Sequence, residues 1–304
     1  MTAPQPASPL HARAGFFLAA LVLLLVFGGT LYDLFSFSVG SENELYSYIL
    51  LIPFVSAYLA WLQPPGFSAT RPPARLAGGA LLFAGLLAFL CAHFWTGPAV
   101  ETVLDLKVLS LICALAGICA CFLGWDQFRR LAFPLGLLIF MLPIPPALRS
   151  GIDSFLQSGS AAAANGLFSL SGVPVWQDGV SFRLPDDIRF NVEPECSGIH
   201  STLVLLITSL VAGHLLLRTR WKQVLLVAVV IPLALLRNGF RIYVLGQLCV
   251  HYGARMFDSW VHHRGGPLFF ILSLIPFFGL LIWLIKTEPR GGPPGKKVVA
   301  TQNI

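Results

Sequence analysis

Residues 224–248 read VLLVAVVIPLALLRNGFRIYVLGQL, a run whose only charges are Arg237 and Arg241. A membrane-crossing helix needs about 20 mostly apolar residues, so this stretch reads as a transmembrane span with two arginines toward one end. The same test applied outward gives seven more candidates. Upstream they cover residues 15–39, 45–62, 76–95, 104–123, 131–148 and 198–217, and downstream 267–285. The fifth is interrupted late by Pro143, Pro145 and Pro146. The first is too long for the 7–15-residue apolar core of a signal peptide and lacks a clean small-x-small cleavage site, so it reads as a retained helix.

Composition agrees. Hydrophobic residues make up 56% of the 304-residue chain and charged residues 11%, against roughly 45–50% and 25% in soluble domains. So little charge cannot cover a soluble surface, and so much apolar content excludes disorder. Six cysteines, most inside apolar runs, exclude a disulfide scaffold. The expected fold is an all-α polytopic membrane protein of about eight transmembrane helices, one integral membrane domain over residues 1–304.

Lys and Arg set the orientation. With the N-terminus in the cytoplasm, twelve of the twenty basic residues face inward, including Arg13, Arg71, Arg75, Arg129, Arg130, Arg218, Arg220 and Lys222. Of the acidic residues only Asp126 and Glu288 join them. Both termini are then cytoplasmic. The net charge of +6 belongs to membrane topology, and no nucleic-acid partner is expected. Residues 287–304 read as a disordered cytoplasmic tail.

One long polar segment breaks the pattern. Residues 149–197 are expected as an extracytoplasmic loop. Its first half, with Ile152, Phe155, Leu156, Ala163, Leu167 and Phe168 on one helical face, reads either as an interfacial helix on the outer leaflet or as a packed re-entrant segment. In its second half Val180, Phe182 and Leu184 alternate with polar residues, as do Ile188, Phe190 and Val192. Between them lies the turn signal Leu184-Pro185-Asp186-Asp187. A small β-hairpin before the sixth span is expected.

This hairpin leads into Glu193-Pro194-Glu195-Cys196-Ser197-Gly198 at the start of the sixth span. A helix N-terminus favours an anion, so a cysteine there can hold a larger thiolate fraction, and the thiolate is the nucleophile. Inert packing is the competing reading, and it is the natural one for Cys91, Cys113, Cys119 and Cys121 inside spans. Glu193 and Glu195, if ionised nearby, oppose thiolate formation. Arg237 and Arg241 lie four residues apart on one face of the seventh span. An intramembrane arginine is costly and points to a site, because its fork of donors can hold a carboxylate or an oxyanion. Snorkelling to the headgroups is the alternative. Asn238 adds an amide able to fix a loop or a substrate carbonyl. His262 and His263, in the last outer loop, suit acid–base work near neutral pH, unless they are simply solvated. Three separate spans thus deliver a nucleophile, a cation and a base to one membrane face. His200, His214 and His251 have no metal-ligand spacing, so no metal and no cofactor are expected.

At these residues the chain resembles the exosortase/archaeosortase membrane proteases. Glu195-Cys196-Ser197-Gly198-Ile199 is similar to their Cys-Ser-Gly box. Asn238-Gly239-Phe240-Arg241-Ile242 is similar to an Asn-x-x-Arg-Ile box, and His262 with Gly266 and Phe270 to a His-x-x-x-Gly box. Ser47 to Pro53, Phe133-Pro134, Met141 to Pro145 and Gly172 to Val175 agree as well, so the likeness covers roughly residues 45–275. The resemblance implies a bacterial inner-membrane cysteine endopeptidase or transpeptidase. Its partners would be exported proteins ending in a PEP-CTERM-like tail (motif, membrane helix, basic end), with the lipid bilayer around it and an amine as possible acceptor. Its catalytic residues would be Cys196, Arg241 and His262, with Arg237, Asn238, His263, His200 and Glu195 as possible supports. A transporter or channel, or a non-catalytic scaffold for envelope polysaccharide assembly, are the rival readings. The charge-free middles of the spans and the absence of an inverted repeat argue against transport.

Overall fold

Apolar runs fold as helices in a bilayer because no water is present to satisfy a bare backbone, and helices dominate this chain. A computed structural model describes residues 9–40, 44–63, 74–94, 100–185, 189–192, 198–253 and 265–289. They form two compact units, Met1–Pro146 and Ala147–Ile304.

The first unit holds α1 (Pro9–Val26), α2 (Gly28–Val39), a 3₁₀ turn (Glu44–Leu51), α3 (Ile52–Trp61), α4 (Arg75–Phe94), α5 (Val100–Leu137) and a second 3₁₀ turn (Leu138–Met141). Small residues let α4 and α5 approach. A Cβ added at Gly78 would collide with Cys121 Sγ, and one at Gly85 would meet the Ser110 carbonyl at 3.1 Å. Rising numbers on α4 thus face falling numbers on α5, an antiparallel pair joined through glycines. Inside α5, Gly124 leaves helical geometry at φ 79° and ψ 168°. This break falls between the fourth and fifth expected spans. Further along, Ser56 Oγ donates to the Pro134 carbonyl at 2.8 Å, just before α-helical winding gives way to the 3₁₀ turn.

The second unit holds α6 (Pro146–Leu170), strands β1 (Trp176–Asp178), β2 (Ser181–Arg183) and β3 (Arg189–Asn191), then α7 (Ile199–Leu216), α8 (Arg220–Ala228), α9 (Val230–Tyr252) and α10 (Gly266–Lys286). The expected hairpin is present as β2–β3, with Phe182 opposite Phe190 and their rings stacked at 5.2 Å. β1 adds an antiparallel third strand. Gly179, at φ 59°, turns the chain from β1 into β2. The Asp178-Gly179 dipeptide is the sequence signal for that turn.

Two apolar clusters sit at opposite ends of α9. Phe168, Phe182, Leu184, Val192 and Ile242 join the sheet to α6 and to the later half of α9. Leu205, Leu226, Val230, Phe277 and Leu284 join α7, α8, the start of α9 and the end of α10. At this second end Lys222, buried within the protein, donates to the Leu284 carbonyl and to Thr287 Oγ1, each at 3.1 Å. Its ammonium lies 3.8 Å from Glu288, whose carboxylate accepts from Thr219 Oγ1 at 2.8 Å. The ammonium sits where the last carbonyls of α10 point, the favourable end of a helix dipole for a cation. Desolvation opposes ionisation of Glu288. The Thr219 hydroxyl and amide, the Arg218 amide and the Lys222 charge outweigh it and hold the carboxyl below its ordinary range.

Among the described residues, five helical stretches are long and apolar enough to cross a membrane: Arg75–Phe94, Glu101–Met141, Ile199–Leu216, Arg220–Tyr252 and Gly266–Lys286. A sixth arises if Gly15–Val26 and Gly28–Val39, bent by 58°, count as one. The expected count of eight is therefore not reproduced. The first expected span breaks before Gly28, the second begins as a 3₁₀ turn and continues in a short helix, and the fourth and fifth lie in one long stretch that breaks between them at Gly124.

Residues 149–170 are helical within α6 and pack along α9. Gly159 faces Leu235, Ala163 and Ala164 face Gly239, and Phe168 faces Gly246. The two helices thus run side by side in the same direction. The segment is packed, as the second alternative expects, but a helix that continues in one direction makes no re-entrant return to its starting face. A helix lying flat on the outer leaflet would cross a spanning helix at one point only.

Candidate active site

The sixth expected span starts where a left-handed residue starts α7. Gly198 has φ 73° and ψ 22°, a conformation that costs an L side chain roughly 1–2 kcal/mol. Its carbonyl accepts the Thr202 amide at 3.0 Å, Thr202 Oγ1 at 2.8 Å and Ser201 Oγ at 3.0 Å. Arg237 Nη2 adds a fourth donor from α9 at 3.3 Å. A Cβ on Gly198 would lie 2.7 Å from that nitrogen. Glycine is therefore required twice here, by dihedral and by space.

α9 supplies the other side. Arg237 is 8% exposed and Asn238 3%. Arg237 Nη2 also lies 3.5 Å from Thr202 Oγ1. Its Nη1 is buried without a hydrogen-bond partner among the described residues. The Asn238 amide donates to Ser160 Oγ on α6 at 3.1 Å, so it ties two helices together. One turn along, Arg241 is half-buried. Phe240, beside it, meets Phe269 edge-on at 6.1 Å between ring centroids, which brings the first turn of α10 to the same stretch of α9.

The described structure thus brings together the start of α7, the Arg237–Arg241 turn of α9 and the start of α10. His200 lies half-buried in the first turn of α7. Cys196, Glu195, His262 and His263 lie outside the described residues. The described cysteines, Cys91, Cys113, Cys119, Cys121 and Cys249, carry free thiols, and Cys249 is fully buried. No group of three or more His, Cys, Asp and Glu able to hold a metal occurs among the described residues.

Two contributors escape sequence reasoning. Ser160 carries the α6 anchor for Asn238, and Thr202 shares the Arg237 fork. The run Gly159-Ser160-Ala161-Ala162-Ala163-Ala164 is the available signal for the first, since small residues mark close helix contact in membranes. Nothing in the sequence singles out Thr202.

No curated protein and no solved structure matches the chain. The family model for transmembrane exosortases matches residues 40–279, a stretch that holds the Cys196, Arg241 and His262 boxes together with the contacts between α7 and α9. The chain is a multi-pass membrane protein and belongs to the transmembrane exosortase family.

Proposed function

We propose that the protein is a membrane-embedded cysteine endopeptidase, with transpeptidase capacity, that removes C-terminal sorting tails from exported proteins. Its substrates carry a short PEP-CTERM-like motif, a membrane helix and a basic end. It sits in the inner membrane with both termini in the cytoplasm and acts on the outer face. The observation that carries this reading is the meeting of the Gly198 turn, two residues beyond Cys196, with the α9 turn that bears Arg237 and Arg241.

The chemistry follows from the residue types. His262 takes the proton from Cys196. The thiolate attacks the scissile carbonyl and forms a C–S bond while the carbonyl π electrons move onto oxygen. Arg241 stabilises that oxyanion. Collapse breaks the C–N bond, His262 returns its proton to the leaving amine, and a thioester remains. Water or an amine acceptor attacks the thioester, releases the Cys196 thiol and yields the free or transferred protein.

The test is co-expression with an exported reporter that ends in a Pro-Glu-Pro motif, an apolar helix and a basic end. Cys196→Ala is expected to leave the reporter uncleaved and Arg241→Ala to slow cleavage by about 10²–10³-fold, the usual cost of losing one oxyanion donor. Full cleavage by Cys196→Ala sinks the proposal.

A further inference from the structure

We infer that Arg237 is a positioning residue for the cysteine turn, distinct in role from Arg241 one turn away. The inference rests on the cysteine-peptidase reading. A guanidinium buried in a membrane helix carries a large desolvation cost, so the contact it makes needs an account. Its described partners are the Gly198 carbonyl and Thr202 Oγ1, both in the first turn of α7. The Gly198 carbonyl already closes the first helical bond with the Thr202 amide at 3.0 Å. Arg237 therefore adds nothing that helix formation requires.

What it adds is orientation. Four donors on one carbonyl oxygen fix the peptide plane after Gly198, and with it the ψ of 22° at the residue through which the chain enters from Cys196 and Ser197. Arg237 reaches this oxygen only because position 198 has no Cβ, which would lie 2.7 Å from Nη2. A rigid helix, itself tied to α6 through Asn238 and Ser160, thus holds the Gly198 peptide, two positions beyond Cys196 in sequence. Arg237 acts through the backbone and leaves the substrate oxyanion to Arg241.

The experiment uses the full-length protein in membranes. It reads the rate of Cys196 alkylation by a membrane-impermeant maleimide across a pH series, and cleavage of the tailed reporter. Arg237→Ala is expected to lower cleavage at least tenfold and to move the alkylation profile. Arg237→Lys keeps a donor of nearly the same reach as the Nη2 that meets Gly198. It is expected to remain within about threefold of the parent in cleavage, with its profile in place. Because Gly198→Ala displaces the same guanidinium, its effect is expected to shrink in an Arg237→Ala background, the mark of two changes acting through one contact. Arg237→Lys behaving like Arg237→Ala would overturn positioning by a donor to the Gly198 carbonyl, and additive Gly198 and Arg237 effects would overturn the shared contact. Should Cys196→Ala abolish cleavage while all Arg237 variants match the parent, positioning alone fails. Cleavage that survives Cys196→Ala overturns the peptidase reading itself.

Discussion

Gly239 sets the separation of α6 and α9, and a single methyl there is expected to force them apart. A Cβ at this position would lie 2.6 Å from the Ala163 Cβ and 3.0 Å from both the Ala164 nitrogen and the Ser160 carbonyl oxygen. Non-bonded carbons rest about 3.5–4.0 Å apart, so the helices must separate by roughly 1 Å. Two of the three obstacles are backbone and cannot swing away. Overpacking of this kind costs typically 1–3 kcal/mol. The same displacement stretches the Asn238–Ser160 hydrogen bond from 3.1 Å beyond its useful range, a loss of about 0.5–1.5 kcal/mol. Together these should destabilise Gly239→Ala, relative to an alanine placed at an open helical glycine, by about 1.5–4.5 kcal/mol, roughly a 10- to 1,600-fold shift in the unfolding equilibrium. The assay is denaturation of the purified protein in mixed micelles, followed by tryptophan fluorescence. Gly279→Ala is the control, because a Cβ there meets nothing within 4 Å and alanine gains up to about 1 kcal/mol of helix propensity. Adding Ala163→Gly to Gly239→Ala should recover part of the loss by removing the nearest contact. A Gly239→Ala protein that unfolds with its parent would refute the reading of this contact as close-packed.

Glu288→Gln should lower stability at neutral pH. The native carboxyl titrates below its ordinary range, so its contribution is full above the unfolded glutamate value of about 4.3 and fades as pH falls through the native value. Melting curves of parent and variant should therefore converge in acid, and a gap that widens there would reverse the assignment. Lys222→Met removes the donor to Leu284 and Thr287 and should cost about 1.5–3 kcal/mol, as for hydrogen bonds from charged groups, read from the same micelle titration. An unchanged midpoint would deny the clasp. Phe182→Ala empties a site that is 2% exposed between Phe168 and Phe190. By the usual cost of about 3–5 kcal/mol it should open the sheet to limited proteolysis, whereas an intact digestion pattern would show that the cluster tolerates the void.

Hydropathy located most of what lipid dictates. The run expected over residues 267–285 is the helix Gly266–Lys286, and the alternation around Phe182 and Phe190 anticipated their pairing. What it missed depends on protein–protein packing. Ser, Asn and Gln weaken the apolar signal of α6, yet small residues are what allow it to lie against α9. The break before Gly28 is invisible to a sliding average, because a bend changes direction and leaves composition alone, whereas the one at Gly124 falls in the gap between the fourth and fifth expected spans. β1 is three residues long, too short for its alternation to register. Around the candidate site, Arg237 stood out as a cost from its surroundings alone. Its target could not be read, since Gly198 lies 39 positions away and the pairing exists only once α7 and α9 are side by side.

The shared direction of α6 and α9 reduces the sidedness of the second unit to a single bit. The sheet follows the C-terminal end of α6 and packs on the later half of α9, so both must emerge on one face, whichever face that is. The start of α7, joined to α9 through Arg237, is bound to the same choice. An epitope placed in the turn at Gly179 would therefore report, in one accessibility measurement, on which side of the membrane the Arg241 end of α9 opens.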